Sequence, residues 1–222
     1  MLKLLKNFSV KKAHNTQVHL SKKLVLEDKL LQKMRTVGGV DVSYFGNVGI
    51  GAVTVFNCEP LTLLETQVAF CEIKIPYIPT LLSFREIPPA IAAIRKLNRQ
   101  PDIFLVAAHR LAHPYRCGFA SHLGLALGKP TAGAAKSRLI GIPLKQNGRT
   151  FLVDEGEVIG KVVNTKPDAK PICVSIGNMV SLETAVEIVK HCSKGRIPEP
   201  LLRAHNIAKN TEPNLQVKTI NI

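Results

Sequence analysis

The sequence lacks the cysteine pattern of a disulfide-stabilised or zinc-binding protein. Its five cysteines are scattered along the chain, are odd in number and include no Cys-x-x-Cys pair. This arrangement supports neither a zinc ribbon nor a disulfide framework, and it is typical of free thiols in a reducing compartment. We therefore expect a cytoplasmic protein.

The sequence also lacks any apolar run of the length that crosses a bilayer. The opening MLKLLKNFSVKK resembles the start of a signal peptide, but Lys6 interrupts it before an adequate apolar core forms. We find no internal repeat and no low-complexity linker. We expect a soluble single domain over residues 1–222 that does not bind membranes, with a basic, loosely ordered arm over residues 1–20 and a tail over residues 211–222.

Acidic residues are few in comparison with basic ones. The chain has 16 Asp and Glu against 30 Lys and Arg, which gives a formal net charge of +14 and a pI near 9.8. Such a charge makes nucleic acid the first class of partner to consider and an anionic membrane the second. The alternative is a basic surface that serves only solubility.

The hydrophobic pattern predicts an antiparallel meander followed by alternating strands and helices. The meander consists of the strands VGGVDVSYF, GNVGIGAVTVFN and LTLLETQVAFCEIKI. The later elements are a helix at about Leu81–Leu97, the strand IFLVAA, a helix at Phe119–Leu127, a short strand in KPTAGAA, a hairpin around Asp154–Glu157, the strand PICVSIG and helices at Leu182–Cys192 and from Pro198. A further helix is predicted from Ser21 to about Arg35. This order predicts an α/β domain with a mixed central sheet and helices on both faces.

The strand Ile103–Ala107 runs directly into the polar turn AHRLAHP. In α/β proteins the carboxyl end of such a strand usually presents catalytic side chains. Here the strand ends in Ala107 and Ala108, which neither bind metal nor transfer a proton. The sequence therefore raises the question of whether a reactive group is missing from this strand end.

Two carboxylates elsewhere are candidates for a metal site. Asp41 lies inside the first apolar strand, where an ionised carboxylate is costly unless a metal or hydrogen bonds compensate it. Glu86 lies on the helix that follows PYIP. Two carboxylates are enough for a weak magnesium site. The alternatives are that Asp41 faces solvent on an edge strand and that Glu86 is an exposed helical carboxylate.

Three further side chains are candidates for contacts with nucleic acid or for proton transfer. Lys136, after a short strand, is suited to hold a phosphate or to steady a leaving oxygen, or it is a surface charge. His205 is on the last helix, where a lone histidine is more often structural than catalytic. Tyr77 lies in a loop stiffened by Pro76 and Pro79, and its ring either wedges between bases or packs against the protein.

Four blocks of the sequence resemble endonuclease V, and they occur in the same order as in that family. They are PYIPTLLSFRE, RLAHPYRCGFASHLG, AAKSRLIG and RIPEPLLRAH. The resemblance extends from about Thr36 to His205 and implies a ribonuclease H-like fold. It also implies nicking of DNA, or of RNA in some members, on the 3′ side of deaminated adenine (inosine, whose base is hypoxanthine) in DNA repair.

The resemblance also implies a role for each matching residue. Asp41 and Glu86 match metal-binding carboxylates, which hold Mg²⁺ or alternatively Mn²⁺, and Lys136 and His205 match catalytic residues. The strand-separating wedge corresponds to Pro76, Tyr77, Ile78 and Pro79. The pocket for the flipped base corresponds to Thr80, Leu82, His113 and Gly118. Base flipping is needed because a stacked base is inaccessible to an enzyme.

The chain departs from the family pattern at four positions. An aspartate that binds metal and the glycine after it are replaced by Ala107 and Ala108. Thr80 replaces the glycine that follows PYIP, and Asn178 replaces the histidine of an S-P-G-H turn. Removing an anionic ligand weakens a magnesium site, whereas phosphate contacts from Lys and Arg still supply affinity.

The sequence thus predicts a monomer that binds inosine-containing DNA or RNA and cleaves it weakly or not at all. One alternative is a non-catalytic nucleic-acid-binding member of the same fold, without lesion specificity. Another is a manganese-dependent nuclease in which His109 fills the gap at Ala107, because imidazole suits Mn²⁺ better than Mg²⁺.

Overall fold

The computed structural model describes residues 8–29, 34–107, 113–137 and 140–213. The helices are α1 (Val10–Ser21), α2 (Leu82–Ile94), α3 (Phe119–Leu127), α4 (Leu182–His191) and α5 (Glu199–Asn210). The strands are β1 (Thr36–Phe45), β2 (Val48–Asn57), β3 (Thr62–Glu72), β4 (Ile103–Val106), β5 (Thr131–Ala135), β6 (Ile142–Gln146), β7 (Arg149–Asp154), β8 (Glu157–Val163) and β9 (Ile172–Asn178). In this part of the chain, no helix is both long and apolar enough to span a membrane.

The strands form one mixed sheet in the order β3-β2-β1-β4-β5-β9-β8-β7-β6. The predicted meander is confirmed, since β1 pairs antiparallel with β2 and β2 with β3. Strands β1, β4 and β5 are parallel neighbours, so their carboxyl ends meet at the same edge of the sheet. That edge is where side chains of an open α/β sheet form binding sites.

Helices cover both faces of the sheet, as predicted. Helices α2 and α3 contribute to one apolar cluster and α4 and α5 to the other. Two glycines let helices approach the sheet closely. A Cβ on Gly51 would overlap the carbonyl oxygen of Pro89 in α2, and one on Gly39 would overlap that of Pro200 in α5. Because Gly39 and Asp41 lie on the same face of β1, α5 is held against the face that carries Asp41.

The prediction of a helix from Ser21 to about Arg35 is wrong. Helix α1 instead ends at Ser21, and residues 22–29 contain neither helix nor strand. Ser9 is the N-cap because its hydroxyl accepts a hydrogen bond from the Lys12 N–H, whereas the Ser21 hydroxyl donates to the Val18 carbonyl inside the helix. The expectation of a loosely ordered arm is also wrong over residues 8–20, since Ala13 and Gln17 are buried.

Three smaller differences concern element ends and one strand. Helix α2 ends at Ile94, one turn before the predicted Leu97, and β4 ends at Val106. Strand β6 was not predicted from the sequence, because it is a fully exposed edge strand without an alternating apolar pattern. Of the predicted tail, residues 211–213 follow α5 without helix or strand, and residues 214–222 lie outside the described part of the chain.

Candidate metal and nucleic-acid site

Asp41 and Ala107 lie side by side at the carboxyl ends of β1 and β4. The register pairs Val40 with Val106, and the Ala107 N–H donates a hydrogen bond of 3.1 Å to the Val40 carbonyl. Both Asp41 and Ala107 line a cavity of about 360 Å³, which we call the carboxylate cavity. The methyl group of Ala107 therefore occupies a position from which a longer acidic side chain would extend beside Asp41.

Asp41 is buried and hydrogen-bonded at both of its carboxylate oxygens. His205 Nδ1 lies 2.6 Å from Asp41 Oδ2, and the Val42 N–H donates to Oδ1 at 2.9 Å. Burial raises the pKa of Asp41, while the His205 hydrogen bond and the Val42 N–H act in the opposite direction. The alternative of a solvent-facing Asp41 is wrong, since the residue is 8% exposed.

Glu86 differs from Asp41 because its carboxylate has no hydrogen-bond donor among the described residues. It is 7% exposed, on the face of α2 that packs against the sheet. Burial and the nearby Asp41 charge raise the pKa of Glu86 well above its ordinary value, and Arg85 only partly opposes them. The alternative of an exposed helical carboxylate is therefore wrong. A buried carboxylate without donors is an unfavourable arrangement that a bound cation would relieve.

Glu86 and Ala107 line a second cavity, of about 310 Å³, which we call the base cavity. The two cavities share Ala107 as a common wall residue. The negative charge of Asp41 also raises the pKa of Glu86, so the two carboxylates are near enough to interact electrostatically. The geometry thus brings together the two acidic residues that the sequence singled out, with Ala107 next to both cavities.

The donors that remain fit a divalent cation only incompletely. Asp41 and Glu86 supply oxygen atoms, which Mg²⁺ prefers. However, the described residues contain no group of three or more His, Cys, Asp and Glu side chains that would hold a metal ion. Asp102 does not fill the gap, because its carboxylate accepts hydrogen bonds from Arg35 and Thr36. His109, the candidate third ligand for manganese, lies outside the described residues.

Lys136 and His205 both line the carboxylate cavity. Lys136 directly follows β5 and is exposed, and its charge also favours ionised Asp41. His205 is on α5 with a partly exposed side chain that reaches Asp41. An exposed cation beside a buried carboxylate is suited to hold a phosphate near the reacting atoms.

The four residues predicted for the base pocket all line the base cavity: Thr80, Leu82, His113 and Gly118. His113 is held in one tautomer. Its Nε2–H donates to the Thr80 carbonyl at 2.9 Å, while its Nδ1 accepts from the Tyr115 N–H at 3.2 Å. Gly118 is the residue before α3, so the N-terminus of that helix also faces this region.

The predicted wedge presents one aromatic ring to solvent. Tyr77 is 69% exposed, so the alternative in which its ring packs against the protein is wrong. Pro76 and Ile78 are partly buried, Pro79 is exposed, and both Tyr77 and Pro79 line the mouth of the base cavity. An exposed ring on a stiff loop beside a cavity of nucleobase size is well placed to contact stacked bases.

Sequence reasoning missed three polar residues near the base cavity. Ser83 is buried in its wall and lies 3.3 Å from His122 Nδ1. Burial lowers the pKa of His122 to about 4, so this imidazole is neutral at physiological pH. Gln17 of α1 is fully buried against the loops of the cavity. No local pattern indicates these contacts, because they join residues far apart in the chain.

The sequence is similar to known proteins of one family over most of its length. The endonuclease V family model matches residues 18–206. The endonuclease V of Dictyoglomus turgidum is 42% identical over 198 residues, which cover 87% of this chain and 86% of the relative. That of Thermofilum pendens is 39% identical over 206 residues, covering 91% and 89%.

Solved structures are similar over most of the chain. The crystal structure of endonuclease V from Streptomyces avermitilis has a TM-score of 0.85 at 30% identity and covers 91% of this chain and 92% of its own. Endonuclease V of Ciona intestinalis, solved with a 23mer DNA containing an inosine followed by a ribo-adenosine, has a TM-score of 0.81 at 31% identity, covering 90% and 95%. The predicted ribonuclease H-like fold is confirmed by these neighbours.

Proposed function

The chain belongs to the endonuclease V family, and from that premise we propose that it recognises inosine in nucleic acid while cleaving it weakly or not at all. The proposed reaction is nicking of the strand on the 3′ side of the lesion in DNA repair. The observation that carries this proposal is the position of Ala107, in the wall shared by the base cavity and the carboxylate cavity.

Recognition of the lesion is assigned to the wedge and the base cavity. Tyr77 is exposed at the cavity mouth, where its ring would replace the stacking lost when a base leaves the duplex. His113 and Thr80 are hydrogen-bonded to each other in the wall of this cavity, so they would hold its shape around the flipped base. The Ciona intestinalis relative was solved with inosine-containing DNA, which supports inosine as the lesion here.

Phosphate positioning is assigned to the rim of the carboxylate cavity. Lys136 would contact the backbone phosphate next to the flipped nucleotide, and the strongly basic chain would supply non-specific affinity along the strand. His205 fixes the Asp41 carboxylate through the 2.6 Å hydrogen bond, so that one oxygen keeps a constant direction. We propose that one copy of the chain is sufficient for binding.

For cleavage, Asp41 and Glu86 are the residues that would hold a magnesium ion, or alternatively manganese. When bound, such an ion would activate water and stabilise the leaving oxygen of the phosphodiester. Ala107 contributes no third carboxylate to hold the ion in position. A misplacement of about 1 Å costs roughly a hundredfold in rate, so weak cleavage is expected from this substitution.

A nicking assay on an inosine-containing duplex tests this proposal. We expect Ala107→Asp to raise the nicking rate in Mg²⁺ or Mn²⁺ by about a hundredfold or more, because it restores the missing ligand. Ala107→Asn is the matched control, since it adds nearly the same volume without the charge. A folded Ala107→Asp protein that nicks no faster than the unmodified chain at any metal concentration would contradict the proposal.

A second candidate is a binding protein of the same fold that neither cleaves nor distinguishes inosine. The absence of a three-donor metal group among the described residues favours loss of cleavage, and a threonine at the strained position 80 in the wall of the base cavity favours loss of lesion specificity. Equal affinity for inosine-containing and undamaged strands at matched salt would select this function over the first.

A further inference from the structure

Thr80 has a backbone conformation that is unfavourable for its residue type. Its φ angle is +75°, in the left-handed region, which β-branched residues rarely adopt. It lies between the wedge loop (residues 76–79) and the start of α2, and the Leu81 N–H donates to the Ile78 carbonyl to close this turn. The conformation of Thr80 therefore sets the direction in which the chain passes from the wedge to the helix that carries Glu86.

Contacts from two other segments hold Thr80 in place. Its carbonyl oxygen accepts a hydrogen bond of 2.8 Å from Gln17 Nε2 and one of 2.9 Å from His113 Nε2. Its hydroxyl group lies 2.9 Å from His14 Nε2. Every polar atom of the Thr80 side chain and carbonyl therefore has a partner outside its own loop.

Helix α1 supplies two of these partners. Gln17 is fully buried and also donates to the Cys117 carbonyl at 3.1 Å, so it joins the two loops that flank the base cavity. His14 stacks on Tyr115 with ring centroids 4.2 Å apart, which orients its imidazole toward Thr80. Neither His14 nor Gln17 lines the base cavity itself.

We propose that His14 is a positioning residue that holds Thr80 in its left-handed conformation and thereby sets the shape of the base cavity. The hydrogen bond between His14 and the Thr80 hydroxyl group holds the only polar atom of the Thr80 side chain. The contribution of His14 consequently depends on a threonine at position 80. Glycine adopts this φ without strain, so a chain with glycine there would not need His14.

The test is a double-mutant cycle with two measurements. Thermal midpoints of unfolding are compared for the unmodified protein, His14→Ala, Thr80→Gly and the double variant. The ratio of Kd values for adenosine-containing and inosine-containing duplexes is measured in EDTA on the same four proteins. Only the second measurement rests on the proposed function. His19→Ala, at an exposed position of α1, is the matched control.

We expect His14→Ala to lower the midpoint by about 3 °C and the preference for inosine by about fivefold, as one lost hydrogen bond and stacking contact would. In the Thr80→Gly background the same change should leave the inosine preference at the level of the His19→Ala control. It should lower the midpoint by less than in the unmodified protein, because only the stacking on Tyr115 is then lost. Thr80→Val, which keeps the branched shape but removes the hydroxyl, should reproduce the effect of His14→Ala on the inosine preference.

Two results would overturn the proposal. One is an equal loss of thermal midpoint from His14→Ala in the unmodified and Thr80→Gly backgrounds, which would give His14 only a general role in packing. The other is an unchanged inosine preference in both His14→Ala and Thr80→Val. If the unmodified protein shows no inosine preference, the proposed function fails, and coupling between His14 and Thr80 in the thermal midpoints alone decides the proposal.

Discussion

The loops around the base cavity and the predicted metal-binding positions near Ala107 differ in how completely their polar groups are hydrogen-bonded. Around the base cavity, Thr80 and His113 are hydrogen-bonded from more than one side. Of the two carboxylates, Asp41 is hydrogen-bonded at both oxygens, whereas Glu86 has no donor among the described residues. The neighbouring residue at the end of β4, Ala107, offers only a methyl group. The contacts that shape the base cavity therefore do not depend on the missing carboxylate, whereas metal binding does.

The largest difference between the cavities should appear in metal affinity. We expect Ala107→Asp to tighten Mn²⁺ binding by about tenfold to a hundredfold, because it adds an anionic oxygen ligand beside Asp41. Electron paramagnetic resonance titration of free Mn²⁺ measures this affinity without any turnover. Ala107→Asn should give a much smaller gain, and equal affinities for the Asp and Asn variants would place the metal elsewhere.

The next largest effect should come from the wedge. We expect Tyr77→Ala to weaken binding of an inosine-containing duplex by about tenfold in EDTA, because stacking of a base on an aromatic ring is worth about 1–3 kcal/mol. Fluorescence anisotropy measures the change. Tyr77→Phe retains the ring and should bind like the unmodified protein, so a loss as large as that of Tyr77→Ala would mean that the hydroxyl, rather than stacking, carries the affinity.

The Glu86 carboxylate, which has no hydrogen-bond donor among the described residues, should make the metal-free protein less stable as pH rises. Burial raises the pKa of Glu86 above its ordinary value of 4.5, so the folded protein retains a proton that the unfolded chain releases. The corresponding stability is present below pH 4.5 and is lost as pH rises through the raised pKa. We expect Glu86→Gln to remove this part of the pH dependence.

Thermal unfolding in EDTA at pH 5 and pH 8 measures the effect. At pH 8 the Gln variant should unfold about 2–8 °C above the unmodified protein, because the neutral amide avoids the cost of burying an ionised carboxylate. The difference should be smaller at pH 5. Glu183→Gln, at an exposed position in the first turn of α4, is the control and should change little. A lower midpoint for Glu86→Gln at pH 8 would contradict the assignment.

The smallest effect should come from a single phosphate contact. We expect Lys136→Ala to weaken binding of inosine-containing and undamaged duplexes alike by a few fold and to reduce the slope of log affinity against log salt by about one. Lys190→Ala, on α4 beside a different cleft, is the matched control. A Lys136→Ala change that affected only the inosine duplex would assign Lys136 to base recognition instead.

Local patterns predicted most of the sheet and its helices, because Ile103–Val106 and Phe119–Leu127 have strong apolar signals of clear length. They did not predict α1, whose two buried residues, Ala13 and Gln17, give no helical apolar stripe. Helix α1 is buried by contacts with residues that lie about 60 to 100 positions further along the chain, and no local sequence pattern contains this information.

The candidate site was predictable in its residue types but not in its electrostatics. The blocks around Glu86 and His205 resemble a known family, the same resemblance matches Asp41 to a metal-binding carboxylate, and the structure brings Asp41 and His205 within 2.6 Å. That Asp41 is hydrogen-bonded while Glu86 is not follows only from packing. The pairing of His14 with Thr80 likewise depends on how α1 lies against the loops.

The most direct measurement compares binding of inosine-containing and adenosine-containing duplexes to the unmodified protein in EDTA at one salt concentration. Because the base cavity is braced independently of position 107, we expect the inosine duplex to bind about tenfold more tightly even without metal. Equal dissociation constants for the two duplexes would contradict the claim that the recognition half of the site is intact while its metal-binding half is incomplete.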